Sequence, residues 1–295
     1  MLAIAAGVGW GLLAPFSKLM FGIDAGGARF DAESLTVARA VWPLPLFALI
    51  AYLARPRGVA PTRANLAAFA FAAVLVGFGL NFLYQLALER TSAAHVVLLQ
   101  GVAPLCLAAV DALVFRKPLD GPRRLALGLG LAGIVCISLA RSGAGASLAG
   151  DAIMAVWIAV FAAYSIVTRR LTAIYSPFFV IAVAWGGGFA LVAASGAGLI
   201  PFALRHTLAS PELALLVIAG IGITSAIAAP IAHAASVRLS GMTIATAGSQ
   251  YGAIATGLLL SYLLLDETLV PLTVAGAILL LLGLACTLLP ARAAA

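Results

Sequence analysis

Ten stretches of about twenty predominantly apolar residues follow one another along the chain, at about 2–22, 34–54, 65–88, 92–115, 122–140, 150–169, 177–198, 212–235, 242–265 and 270–290. A helix rises about 1.5 Å per residue, so each is long enough to cross a hydrocarbon layer roughly 30 Å thick. Within lipid a backbone must satisfy its own hydrogen bonds, which leaves helices or closed barrels. The two-residue alternation of barrel strands is absent. The expected fold is an all-α polytopic membrane protein with ten transmembrane helices. Composition agrees: 64% of the 295 residues are hydrophobic and 9% charged, against roughly 45–50% and about 25% in soluble domains. Mean hydropathy is +1.15.

The chain also repeats itself. Shifted by 150, Gln100 falls on Gln250, Leu113 on Leu263, Leu119 on Leu269, Gly133 on Gly283 and Cys136 on Cys286. Ser17-Lys18 aligns with Thr168-Arg169 at an offset of 151. Two halves result, residues 1–141 with spans one to five and residues 149–290 with spans six to ten. Five is odd, so the second half enters the membrane upside down, a recurring transporter architecture. The break at Arg116-Lys117 returns as Asp266-Glu267, the charge change such an inversion produces.

Orientation follows from basic residues in short loops. With the N-terminus in the cytoplasm, eleven lysines and arginines fall on inner loops and the C-terminal tail, among them Arg57, Arg116, Lys117, Arg169, Arg238 and Arg292. Four (Arg29, Arg90, Arg141, Arg205) fall outside. Both termini are therefore expected in the cytoplasm, with the first span retained rather than cleaved as a signal peptide. The net charge of +7 is explained by those loops and calls for no nucleic acid. The cysteines Cys106, Cys136 and Cys286 lie inside apolar spans, with neither a disulfide framework nor metal-ligand spacing.

Polar groups at membrane depth must face protein or a wet cavity. Span three carries Asn81, Tyr84 and Gln85, either an amide grip for a small zwitterion or interhelical bonding. In span four, Pro104 lacks an N–H and should leave the carbonyl of residue 100 free beside the Gln100 amide. A plain packing kink is the alternative. Span six presents Trp157, Phe161, Tyr164, Ser165 and Thr168 on one face, a cavity wall or a packing stripe. In span eight, Pro230 and His233 repeat the kink logic. In span nine, Gln250 and Tyr251 follow Thr246 and Ser249, and Gln250 is expected to meet its mate Gln100 near the axis relating the halves. Lys18 and Arg39, toward the outer ends of spans one and two, either snorkel or line a positive outer vestibule.

No aspartate or glutamate lies near the midplane, which favours facilitated diffusion or coupling through a histidine such as His233 over a carboxylate-coupled pump. Enzyme motifs are lacking: Gly248-Ser-Gln-Tyr-Gly252 does not have the spacing of a nucleophile elbow, and no nucleotide loop or zinc motif occurs. No cofactor or metal is expected.

Several segments resemble a known family. Gly9-Trp10-Gly11 with Lys18, Ala38-Arg39, Ala87-Leu-Glu-Arg-Thr-Ser-Ala-Ala94 followed by Pro104, and Leu265-Asp-Glu-Thr-Leu269 followed by Gly276 and Gly283 resemble the EamA domains of the drug/metabolite transporter superfamily. Within it the chain is most similar to bacterial aromatic amino-acid exporters of the YddG type. It departs from the family at Arg116-Lys117, where first repeats usually carry Gly-Glu. The resemblance implies a ten-helix inner-membrane carrier exporting amino acids and related metabolites.

The combined expectation is a monomeric alternating-access carrier in the lipid bilayer. Its small-molecule site is lined by Asn81, Tyr84, Gln85, Gln100, Trp157, Tyr164, His233, Gln250 and Tyr251, with hinges at Pro104 and Pro230. The alternatives are a proton-coupled metabolite or drug exporter and a channel-like pore.

Overall fold

Helices beginning on caps and prolines, and ending where glycine or a turn interrupts them, account for nearly all of the computed structural model, which describes residues 1–24, 29–56, 62–113, 116, 120–140, 147–240 and 242–289. Arg57, Lys117, Arg141 and Arg292, used in the orientation argument, lie outside the described residues, as do the side chains of Asp111 and Thr243. Among the described residues there is no strand.

Among the described residues eleven helices follow: α1 (Leu2–Gly22), α2 (Ala32–Val41 with Leu44–Leu53), α3 (Arg63–Arg90), α4 (Ala93–Gln100 with Ala103–Leu113), α5 (Gly121–Leu139), α6 (Leu148–Thr172), α7 (Pro177–Ser195), the short α8 (Ile200–Thr207), α9 (Pro211–Ser240), α10 (Met242–Leu265) and α11 (Pro271–Cys286). Seven are long and apolar enough to cross a membrane, and an eighth if the bent α2 is one span. α10 and the 16-residue α11 complete the bundle.

Local chemistry sets the boundaries. Asp31 and Ser34 form a reciprocal capping box at the start of α2. The Thr62, Ser92, Asp120 and Ser210 side chains accept from the amides three residues on. Ser176 makes no such bond, and Pro177 alone opens α7. α2 bends by 43° at Trp42-Pro43, where the proline supplies no N–H. α4 breaks at Gly101-Val102, just ahead of Pro104. α8 was not expected from the sequence, where span seven was read to residue 198 and the next span began at 212.

Two helices widen. α3 is π-helical over Leu75–Phe82 and α9 over Leu215–Ala228. In each, a side chain reaches back five residues to a carbonyl: Asn81 Nδ2 to Val76 O at 2.7 Å, Thr224 Oγ1 to Ala219 O at 2.5 Å. The wide segment of α9 ends two residues before Pro230, the proline expected to kink it. Wide turns of this kind collect at functional sites.

Glycines let the helices touch backbone to backbone. On α1, a Cβ at Gly7 would lie 2.9 Å from the Gly252 Cα of α10; at Gly11 it would lie 2.7 Å from the Ala253 carbonyl. Between α5 and α11 the contacts are reciprocal. A Cβ at Gly133 would meet the Gly276 carbonyl at 2.8 Å and Leu280 N at 3.1 Å; one at Gly283 would meet the Ala126 carbonyl at 2.9 Å and Gly130 N at 3.3 Å. A shift of 150 turns the first pair of contacts into the second. As numbers rise along α5 they fall along α11, so these helices run antiparallel. Among the described residues, the only non-glycine positions with positive φ are Arg116 and Asp266, both at 51° and also 150 apart.

Candidate functional site

A cavity of about 350 Å³ opens at the face bearing the α6–α7 turn and the end of α9. Its wall is mostly aromatic. Phe161 and Tyr164 of α6 face Trp10 of α1 and Trp185 of α7. The four-residue and three-residue steps Phe161, Tyr164, Ser165, Thr168 place one stripe of α6 along it. Trp157, one turn deeper, does not reach the cavity. It stacks on Phe161 with ring centroids 5.5 Å apart and donates its Nε1–H to Leu80 O at 2.9 Å, closing the inner end.

The polar inventory is small and directional. Ser165 and Thr168 donate their hydroxyl protons to the Phe161 and Tyr164 carbonyls, each at 2.8 Å, so what they turn to the cavity is acceptor lone pairs. Tyr164 accepts from Trp185 Nε1 at 2.9 Å, which leaves its own O–H to donate. Gln250 Oε1 and His233 Nδ1 are buried without a protein partner, and His233 packs 5.2 Å from the Trp10 ring. Arg169 and Thr172 stand at the mouth. Buried groups left unsatisfied are costly unless water or another partner completes them, and Gln250 and His233 each bring one such atom to this cavity.

Of the nine residues expected to line a site, Tyr164, His233 and Gln250 line this cavity, as does the expected hinge residue Pro230. Six do not. Tyr84 donates to Gln100 Oε1 at 2.8 Å, deep in packed protein on the other side of the bundle. No hydrogen bond joins Gln100 to Gln250: one is consumed by Tyr84 and the other faces the cavity. Gln85 is fully buried with both amide atoms unpartnered. Tyr251 turns away and donates to Leu281 O at 2.7 Å. Asn81 and Trp157 serve neighbouring helices. Trp10 and Trp185 were missed; the glycines flanking Trp10 were the available signal, since they let α1 approach its neighbours closely enough to push that ring into the space between.

Arg39 corrects the sequence expectation most sharply. It neither snorkels nor lines a vestibule, being only 2% exposed. It lies seven residues into α2, about 10 Å along the helix. Its Nε donates to Ile221 O at 3.1 Å, Nη1 to Asn81 Oδ1 and Nη2 to Ser225 Oγ at 3.3 Å, with the Phe189 ring 5.8 Å away. Asn81 belongs to the wide segment of α3, and Ile221 and Ser225 to that of α9. No carboxylate pairs with Arg39 among the described residues.

On the opposite face the described residues are tied together. Lys18 is half-buried, and its ammonium donates to Leu88 O at 2.7 Å and Thr91 O at 2.9 Å at the C-terminal end of α3. Glu267 accepts from the Ala93 and Ala94 amides at 2.9 and 2.8 Å at the start of α4. Each charge suits the helix end it meets. His95 of α4 lies 3.5 Å from Asp151 of α6, both largely buried, and Ser147 N donates to Thr91 Oγ1 at 3.2 Å. The α3–α4 turn is thus tied to α1, α6 and the α10–α11 turn together.

No curated protein matches the chain. A solved crystal structure, 22% identical, aligns over 98% of this chain and 97% of its own with a TM-score of 0.59, a likeness of fold. Residues 1–139, which hold α1 to α5, match the EamA-like transporter family, so the first half of the chain is similar to an EamA-like transporter domain, and the described residues form several helices long and apolar enough to cross a membrane.

Proposed function

We propose that the chain is an alternating-access carrier exporting amino acids with aromatic or apolar side chains, and related small metabolites, across the bacterial inner membrane. The observation that carries this reading is the one-sided aromatic cavity with its few unsatisfied polar atoms. Its volume is at the small end for ligand pockets, which run from about 300 to 1,000 Å³. A flat ring fits between Trp10, Phe161, Tyr164 and Trp185. The Tyr164 hydroxyl donates to a substrate carboxylate, while Gln250 Oε1 and the lone pairs of Ser165 and Thr168 accept from an amine.

Residues 1–141 and 149–290 are read as inverted halves, each with five membrane-crossing helices. The reciprocal α5–α11 contacts support this, as do the paired positive-φ residues and the wide segments in α3 and α9. The cavity mouth lies at the turn carrying Arg169 and Arg170, a basic turn that belongs in the cytoplasm under the positive-inside rule, as do both termini. Pro104 and Pro230 sit where α4 and α9 depart from regular helix and serve as hinges. The carrier works as a monomer, by facilitated diffusion. Coupling to protons is the second reading, favoured by His233 in the cavity and the buried His95–Asp151 pair.

The test is uptake by proteoliposomes of tryptophan, phenylalanine, leucine and glutamate, with and without a pH gradient. Saturable, counter-stimulated flux of the aromatic members is expected. Flux of none of them, or ion conductance in single steps, would sink the reading. Gln250→Ala and Tyr164→Phe each remove one polar contact with the substrate, about 1 kcal/mol, and should raise the half-saturating concentration roughly fivefold. Unchanged saturation in both variants would place the site elsewhere.

A further inference from the structure

Two rungs join the entry to α4 and the start of α6 on the face opposite the cavity. At the first, Ser147 N donates to Thr91 Oγ1 at 3.2 Å, and a Cβ at Gly150 would lie 2.5 Å from that of Thr91. Four residues further along each segment, His95 Nδ1 lies 3.5 Å from Asp151 Oδ1, with the two side chains 7% and 10% exposed. Neither of these facing atoms has a hydrogen-bond partner among the described residues. The ties made by Lys18 and Glu267 end on backbone atoms. This one joins two side chains, and an imidazole is the group that ordinarily changes charge between about pH 5 and 8.

Around the first turn of α4 stand Asp151 of α6, Glu267 of the α10–α11 turn, Lys18 of α1, and the exposed Glu89 and Arg90 at the end of α3. α10 brings no charged side chain; of its tyrosines, Tyr251 is turned to Leu281 and Tyr262 is exposed. On α5, Cys136 faces Gly276 of α11, and Arg123 and Arg124 belong to the first turn, at the other end of the bundle. We propose that His95 binds a proton taken from the water on the face opposite the cavity, and that the resulting imidazolium pairs with Asp151 and holds α4 against α6, keeping that face closed. Without the proton a neutral ring meets the carboxylate, the pair loses its charge attraction, and the face is freed to open. The pair is a sensor rather than a coupling site. The first α6 residue to line the cavity is Phe161, about 15 Å along the helix from Asp151, and Trp157 closes the space between. A proton therefore enters and leaves on one side only. The role in transport rests on the alternating-access reading above.

Spin labels on Leu148→Cys, at the start of α6, and Thr268→Cys, beside Glu267, both exposed, measure the separation at this face by pulsed electron resonance, with Cys106, Cys136 and Cys286 replaced by serine. Raising the pH from about 5.5 to about 8 should move the distribution from a short to a long distance, changing their ratio by roughly threefold or more. His95→Gln and Asp151→Asn should each hold the long distance at every pH. No response in the parent, a response of opposite sign, or an equal response in His95→Gln overturns the proposal. His95→Gln copies the uncharged state, so it should fold as well as the parent does at the higher pH; failure to fold would make the pair a structural tie and overturn the switch. Tryptophan flux in proteoliposomes separates the two readings. Absent flux beside an intact distance response would sink the carrier and keep the switch, whereas flux without a distance response would remove only the switch. Acid outside alone should slow export; acceleration would make the pair a coupling site instead.

Discussion

Gly252→Val will leave almost no folded protein, seen as loss of the monodisperse peak in detergent and a fall in thermal midpoint. A Cβ at 252 meets the Ile4 carbonyl at 2.6 Å, the Gly7 Cα at 3.1 Å and Val8 N at 3.2 Å. All three are backbone atoms, which no rotamer change can move aside. In a membrane the hydrophobic effect adds little between helices, and close backbone approach supplies the dispersion energy that holds them. Forcing α1 from α10 therefore removes the contact rather than merely straining it. The cost is about 3 kcal/mol or more, at the upper end for overpacking, against a total stability that is small in most proteins. Gly128 is the control. No atom lies within 4 Å of its added Cβ, and an alanine there gains roughly 0.5–1 kcal/mol of helix preference. A Gly252→Val protein as stable as Gly128→Ala would show that the α1–α10 seam is not close-packed.

Arg39→Ala comes next in size. It strips donors from Asn81 Oδ1, Ser225 Oγ and Ile221 O at once. Ser225 Oγ still donates to Ile221 O at 2.6 Å, so the damage falls chiefly on Asn81 and on the space left by the side chain. At about 1–3 kcal/mol for an unsatisfied buried group, with a cavity added, a loss of about 3–5 kcal/mol is expected. Arg39→Lys should recover less than half of it, because an ammonium cannot reproduce three bonds from one planar fork. The measurement is the thermal midpoint in detergent, read beside transport. A fully stable Arg39→Ala with unchanged flux would mean that the guanidinium does not tie α2 to the two wide segments.

Much of the architecture was legible because lipid leaves the backbone few options. Apolar length located most of the described helices to within a few residues, and the offset of 150 relates the contacts of Gly133 to those of Gly283. The spacing of Phe161, Tyr164, Ser165 and Thr168 put them on one face of α6, which helical period alone decides; that this face lines a cavity while Trp157 packs away from it depends on the neighbouring helices. Other features depended on tertiary partners. Arg39 looked like a snorkelling residue when judged by its distance from a helix end; only Asn81, Ile221 and Ser225, from remote segments, make its burial tolerable. Gln100 and Gln250 lie 150 apart in the sequence but differ in surroundings, because Gln100 accepts from Tyr84 in packed protein and Gln250 lines the cavity. No single-chain pattern reveals that difference. The wide turns of α3 and α9 hold Gly77, Gly79, Gly220 and Gly222, which weaken an ordinary helix, but glycine in an apolar span does not by itself say that the helix widens there.

The guanidinium between α3 and α9 has a consequence for what the molecule can admit. Leu80 lines the cavity, and its chain neighbour Asn81 holds Arg39. A positive charge with no carboxylate partner among the described residues therefore sits one residue behind the wall. At an effective dielectric constant of about 20, like charges roughly 10 Å apart repel by about 1.7 kcal/mol. Aromatic rings alone would welcome a lipophilic cation; this hidden field opposes one, so a cation should enter the cavity less readily than a neutral or anionic molecule of the same shape.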